Sequence, residues 1–308
     1  MKTVVVEGLS KAYRAGQAKA LDDISFEVDS GEIFGLIGPD GAGKTTLLRI
    51  LTTLLLPDTG QATVLGLDVV RDFRAIRCKV GYMPGRFSLY QDLSVEENLT
   101  FFATVFDTTI QANYGLIEDI YVQLEPFRNR LAGNLSGGMK QKLALCCALV
   151  HAPRILFLDE PTTGVDPVSR KDFWEMLGRL RRGGITILVS TPYMDEAARC
   201  DRVALIQGGR FIASDSLAGM LAAHQTETLA VRTAERSRTL RDLRGFPGTR
   251  YCFAFGQELH LVLLPDTGGP LAVEAYLHQQ GHKEVTIRRI DPNIEDVYIE
   301  LTQGLAHD

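Results

Sequence analysis

"GPDGAGKTT", residues 38–46, lies between a short apolar run, "GEIFGLIG" (31–38), and "KTTLLRILTTLL", whose apolar spacing is helical. A buried strand, a glycine-rich turn and a helix are therefore expected in direct succession. The stretch fits G-x-x-x-x-G-K-[ST]. Gly38, Gly41 and Gly43 let the backbone curl tightly and turn N–H groups inward, and Lys44 adds a point charge for outer phosphates. The Thr45 hydroxyl is placed for Mg²⁺, and the helix offers its N-terminus to the anion. The loop as a whole, with Pro39, Asp40, Ala42 and Thr46, is expected to cradle a phosphate chain.

A second stretch completes this chemistry. "ILFLDE" (155–160) is an apolar strand with acids at its end. Asp159 suits a water-mediated hold on Mg²⁺, and Glu160 can orient or deprotonate an attacking water. "ILVSTPYMDEA" (187–197) reads as another buried strand, with Ser190 and Thr191 at the carboxyl edge where open α/β sheets bind ligands. The next residue, Pro192, brings no side-chain donor and no N–H to that edge.

Composition sets outer limits. The 308 residues are 45% hydrophobic and 23% charged, with a formal net charge of -5. That acid excess argues against a general nucleic-acid binder, and no nucleic-acid partner is expected. The five cysteines lack C-x-x-C spacing and read as free thiols of a reducing compartment. The N-terminus has too short an apolar run for a signal peptide, and no stretch approaches the length of a membrane span.

Further elements follow from local pattern. "TVVVE" (3–7), "LDDISFEV" (21–28) and "ATVLGLDV" (62–69) read as strands, and Pro57 and Gly60 are expected to stop the helix after the loop. Residues 94–106 read as a helix with a Ser94/Glu97 capping box. Helices are also expected over 139–150 and over "VSRKDFWEMLGRLRRGG", with Trp174 packing beside the apolar stripe of the latter. Gly208-Gly209 marks a hairpin. After about residue 222 the order becomes β-α-β-β-α-β, a ferredoxin-like unit, followed by a helical "DPNIEDVYIELTQG" with Pro292 near its first turn. The domain boundary is placed at 222/223, giving a nucleotide-binding domain over 1–222 and an accessory α/β domain over 223–308.

"LSGGMKQK" (135–142) precedes a helix between the two halves of the site. It is similar to the signature motif of ABC ATPases, and "TTGVDP" (162–167) resembles that family's D-loop. The resemblance covers residues 3 to about 220. It implies a P-loop NTPase fold of the ABC ATPase kind with a small C-terminal ferredoxin-like α+β domain, and ATP and Mg²⁺ as cofactors. Ser136, Gly137, Gly138 and Asp166 are then offered to ATP held by a second ATPase subunit, identical or different. Tyr13 resembles the residue that stacks on adenine. The C-terminal part resembles the appendage of ABC-2 type drug and antibiotic exporter ATPases. "GYMPGRFSLYQDLSVEENL" and "GVDPVSR" look like the first cassette of fused two-cassette exporters. This implies an integral membrane permease as partner and a peripheral position on the cytoplasmic face of the inner (plasma) membrane. Phe87, Leu89 and Tyr90 are expected among the permease contacts. Two positions depart from the family pattern: Gly85 stands where it has a glutamine, and Pro192 where it has a histidine. Gln91 and Tyr193 are the nearest substitutes. The resemblance then implies a degenerate site with slow turnover. Alternatives are a soluble non-transport ABC protein or a non-hydrolysing nucleotide-binding regulatory subunit.

Overall fold

The computed structural model describes residues 1–14, 18–223, 226–265 and 267–304. Two compact units divide between Leu217 and Ala218. The first contains β1 (Lys2–Lys11), β2 (Leu21–Asp29), β3 (Ile33–Ile37), α1 (Lys44–Leu51), β4 (Thr59–Val64), β5 (Leu67–Asp68), α2 (Phe73–Arg77) and β6 (Val80–Met83). It continues with α3 (Val95–Val105), α4 (Tyr114–Tyr121), α5 (Gly137–Leu149), β7 (Ile155–Asp159), α6 (Pro167–Arg182), β8 (Thr186–Thr191), β9 (Arg202–Gln207) and β10 (Arg210–Asp215). Helix α7 (Leu217–Ala223) spans the division.

Among the described residues, the larger sheet of the first unit runs β10-β9-β3-β8-β7-β6, parallel from β9 to β6 and closed by the β9–β10 hairpin. Every residue of β3, β7 and β8 is buried, as expected for parallel strands covered on both faces. The period of two divides their side chains. Ile155, Phe157 and Leu188 join a core with Leu47, Leu48 and Ile50 of α1. Leu156, Leu158, Ile187 and Val189 join the opposite core with α5 and α6, including Trp174. A second sheet, β2-β1-β4-β5, is antiparallel.

Two sequence expectations are corrected. Helix α1 ends at Leu51, well before Pro57. Thr53 takes a φ of 63° there, and the Thr53 and Leu54 N–H groups donate back to Ile50 O and Arg49 O in a Schellman closure. Arg77 holds this turn with bonds of 2.8 Å to Thr53 Oγ1 and to Thr53 O. "ATVLGLDV" is not one strand but the β4–β5 hairpin, because Leu65 and Gly66 both adopt positive φ. The capping box stands as expected. Glu97 N donates to Ser94 Oγ at 3.2 Å, and Ser94 N donates to Glu97 Oε2 at 2.7 Å.

The second unit contains β11 (Thr228–Thr233), α8 (Arg236–Arg244), β12 (Thr249–Phe255), β13 (Glu258–Leu263), α9 (Gly269–Gln279), β14 (Val285–Ile290) and α10 (Ile294–Gly304). Its antiparallel sheet has the order β12-β13-β11-β14 among the described residues. Each β-α-β pair thus straddles a strand of the other, which is the split β-α-β arrangement of a ferredoxin-like α+β unit. Leu243 of α8 and Val273 and Leu277 of α9 cover one face over Leu229, Val231 and Leu261. Asp296 of α10 is fully buried and lies 2.8 Å from His260 Nδ1 of β13.

Candidate nucleotide site

The phosphate loop leaves β3 and curls back before α1 begins at Lys44. Its glycines are required by their surroundings. A Cβ at Gly38 would sit 2.1 Å from Ile206 O, and one at Gly43, where φ is 111°, would sit 2.4 Å from Ala20 O. Gly41 is in open space but has a φ of 78°. Pro39, Asp40 and Gly41 are exposed at the rim, whereas Ala42, Lys44 and Thr46 are buried. The Gly38 N–H donates to Thr191 O at 3.3 Å, tying the loop to the end of β8.

Lys44 is only 3% exposed. Its ammonium donates to Gly38 O at 2.8 Å and to Pro39 O at 3.0 Å, and lies 3.1 Å from Glu160 Oε1. Beside it, Thr45 Oγ1 donates to Asp159 Oδ1 at 3.1 Å. The two halves read from the sequence therefore meet, because the parallel run β3-β8-β7 puts the carboxyl ends of β3 and β7 on one edge of the sheet. Glu160 follows β7 with a φ of 50°, an uncommon conformation for a residue with a Cβ and one that recurs at functional sites. Its N–H is fixed by Ser190 Oγ at 3.0 Å and by Ser190 O at 3.1 Å.

Hard oxygen donors suit Mg²⁺, which usually takes one or two carboxylates, waters and substrate phosphates rather than an all-protein cage. The adjacent Thr45 hydroxyl and Asp159 carboxylate fit that role. Among the described residues no group of three or more His, Cys, Asp or Glu could hold a metal by itself. Tyr13 is half exposed, and its hydroxyl lies 3.1 Å from Thr46 Oγ1 at the edge of the loop.

Ser136, Gly137, Gly138 and Asp166 form a separate cluster. Ser136 caps α5, accepting from Met139 N at 3.4 Å. Asp166 caps α6, with Oδ1 accepting from Val168 N and Ser169 N at 3.1 and 3.0 Å. These bonds hold its carboxyl below the usual aspartate range. Gly138 rests against α6 so closely that a Cβ would lie 2.8 Å from Ser169 Oγ. Among the described residues no hydrogen bond joins Ser136, Gly137 or Asp166 to the phosphate loop.

The two departures have distinct surroundings. A Cβ on Gly85 would meet the Asp159 carbonyl at 3.0 Å, so the loop after β6 lies directly against the end of β7. After Pro192, the Tyr193 N–H is held by Thr191 Oγ1 at 3.0 Å, and its ring lies 4.6 Å below the Arg170 guanidinium. Gln91 is exposed, and its carbonyl accepts from Gly133 N at 2.9 Å. The sequence places Ser190 at the ligand-binding edge but gives it no role there. Its hydroxyl donates to Asp159 Oδ1 at 2.8 Å, and the signal was its place at the carboxyl end of a buried strand.

A family model described as ABC transporter matches residues 21–163. The probable multidrug ABC transporter ATP-binding protein YbhF of Escherichia coli (strain K12) is 37% identical over 311 residues, which cover 98% of this chain and 52% of that protein. The daunorubicin resistance ATP-binding protein DrrA2 of Streptomyces coeruleorubidus is 34% identical over 307 residues, covering 97% of this chain and 94% of the relative. The chain thus spans about half the length of the multidrug relative and nearly all of the daunorubicin relative. A solved ATP-binding subunit of an ABC transporter superposes with a TM-score of 0.65 at 28% identity, over 72% of this chain and 92% of that one.

Proposed function

This chain belongs to the ABC transporter family of ATP-binding subunits, and on that premise we propose that it binds and hydrolyses Mg-ATP to drive a membrane exporter. The observation that carries this reading is the convergence of Lys44 with Glu160 and of Thr45 with Asp159, each pair at 3.1 Å. Phosphoryl transfer needs positioning and charge stabilisation more than covalent chemistry. Lys44 and the loop N–H groups hold the phosphates. Thr45 and Asp159 hold Mg²⁺, which neutralises phosphate charge when bound. Glu160 orients the attacking water and takes its proton.

The same reading gives Ser136, Gly137, Gly138 and Asp166 a role toward ATP on a second ATPase subunit. With Gly85 and Pro192 in place of two side chains that contact the reacting group, this chain's own site turns over slowly. Losing one aligned donor commonly costs about 10²–10³ in rate. Binding persists, because it rests on the phosphate loop.

Among the described residues no helix is long and apolar enough to cross a membrane. On the family reading, a permease supplies the membrane passage and the chain sits peripherally on its cytoplasmic face. A groove of about 370 Å³, lined by Leu54, Tyr82, Phe102, Val105, Phe106 and His151, supports this, since its apolar lining is of the kind that takes the apolar face of a partner helix. Exposed Leu54, Tyr90, Phe101 and Val105 extend its apolar surface. The relatives' names speak of a multidrug ABC transporter, of daunorubicin resistance and of Nod factor export, and export is proposed for this chain on that ground. The direct test is Lys44→Ala, which should abolish binding of a fluorescent ATP analogue. Unchanged affinity overturns the assignment.

A further inference from the structure

Glu196 is 2% exposed, yet its carboxylate is not idle. It accepts from Thr191 Oγ1 at 2.5 Å and from Thr162 Oγ1 at 2.9 Å, and Arg170 Nε lies 3.3 Å from Oε1. Arg170 also pairs with Asp195 and stacks on Tyr193. Three segments distant in sequence are thereby clamped on one buried charge: the end of β8, the turn after β7, and the first turn of α6.

Each end of this clamp leads to a different surface. The Thr191 carbonyl holds the Gly38 N–H of the phosphate loop. On the other side, the Arg170 N–H donates to the Asp166 carbonyl at 2.9 Å, and neighbouring Ser169 packs on Gly138. Pro192 offers a nucleotide neither a side-chain donor nor an N–H. The contact between the phosphate loop and this segment runs through Thr191.

We infer that Arg170 is a positioning residue that couples ATP at this chain's phosphate loop to the Ser136–Asp166 surface. The inference rests on the ATP-binding reading above. A buried carboxylate that loses one of its partners is left undercompensated, so removing the guanidinium frees the α6 end from the β8 end. Coupling through such a link holds only if both ends respond to one ligand.

The experiment is hydrogen exchange of the full chain with and without Mg-ATP, at a concentration where light scattering shows the mass unchanged by ATP. In the wild type, ATP slows exchange over 38–46 and also over 136–140 and 162–169. In Arg170→Met, ATP affinity and protection of 38–46 persist, while the response of the two distal segments falls about fivefold or more, the lower end of typical coupling. Arg170→Lys, which keeps a charge beside Glu196, retains most of the response. A merely structural role would alter exchange in the ATP-free protein and leave the ATP-dependent difference intact. If Arg170→Met does not fold, Glu196→Gln removes the buried charge that Arg170 faces at nearly constant volume and should show the same loss. Full distal response in the folded variants, or none in an ATP-bound wild type, overturns the inference. A wild type unprotected at 38–46 overturns the ATP-binding reading, and the inference with it.

Discussion

The Lys44 ammonium and the Glu160 carboxylate lie 3.1 Å apart, joining the cation of the phosphate loop to the acid that follows β7. Lys44 is almost fully buried and Glu160 is not, so the lysine depends more on the contact. Phosphates entering the loop compete with Glu160 for this cation. Neutralising Glu160 removes the competitor and also the proposed proton acceptor. Glu160→Gln should therefore bind ATP more tightly by up to about fivefold, the equivalent of an ion pair worth about 1 kcal/mol. The same variant should lose nearly all single-turnover hydrolysis. Weaker binding, or hydrolysis at the wild-type rate, contradicts the roles given to this pair.

The groove beside α3 leads to a second prediction. Leu89, expected among the partner contacts, is largely buried beside Leu99 and Leu143 and also lines this groove. Phe87 is half-buried, with the Lys140 ammonium 5.4 Å from its ring centroid. Tyr90 is exposed and packs edge-on against Phe101. Cysteines introduced at Arg86, Ser88 and Tyr90, with exposed Cys78 replaced by serine, should cross-link to a multi-helix membrane protein in native membranes. Capture confined to proteins without membrane spans counts against a transporter role.

The second unit has its own core of Leu229, Val231, Leu243, Leu261, Val273 and Leu277. The bonds described for Lys44, Thr45 and Glu160 at the phosphate loop are all made to residues of the first unit. A chain truncated after Ser216 should remain folded and bind the ATP analogue within about threefold of the full chain, less than 1 kcal/mol. Circular dichroism establishes folding and fluorescence titration the affinity. A folded truncation that does not bind makes the second unit part of the nucleotide site.

The strand–loop–helix around Lys44 was legible in the sequence because local pattern alone specifies it: a buried run, glycines at forced turns, and helical spacing. The ends of elements were less so. Thr53 and Leu65 take positive φ without being glycine, so neither announces the turn it makes. Helix α4 lacks a side-chain N-cap bond and has little beyond Ile117, Ile120 and Tyr121 to mark its buried face, and it went unread. Arg170 looked like one more charge on an amphipathic helix. Its role depends on Asp195 and Glu196, more than twenty residues away, and only the packing of α6 beside the end of β8 brings them together.

The surroundings of Pro192 and Gly85 separate two repairs that look equivalent in sequence. Pro192→His places an imidazole where the loop has none, on a segment already anchored by Thr191 and Glu196. Gly85→Gln must fit a Cβ 3.0 Å from the Asp159 carbonyl, and that atom belongs to the backbone of β7. Relief comes by moving the loop or by moving Asp159, which is bonded to Thr45 and Ser190. Pro192→His alone should then raise single-turnover hydrolysis at this chain's own site at least tenfold, about 1.4 kcal/mol of barrier. Gly85→Gln alone should gain little, and the double variant should not reach the product of two independent gains, because both groups serve one transition state. Adding Glu160→Gln should erase whatever rate is recovered. The measurement is made with any partner ATPase inactivated at its own phosphate loop. If the native chain already hydrolyses as fast as Pro192→His, the slow-site reading fails, and another group fills the missing role. Tyr193 is then the first to test, by Tyr193→Phe, since its ring lies against Arg170 at the end of the same loop.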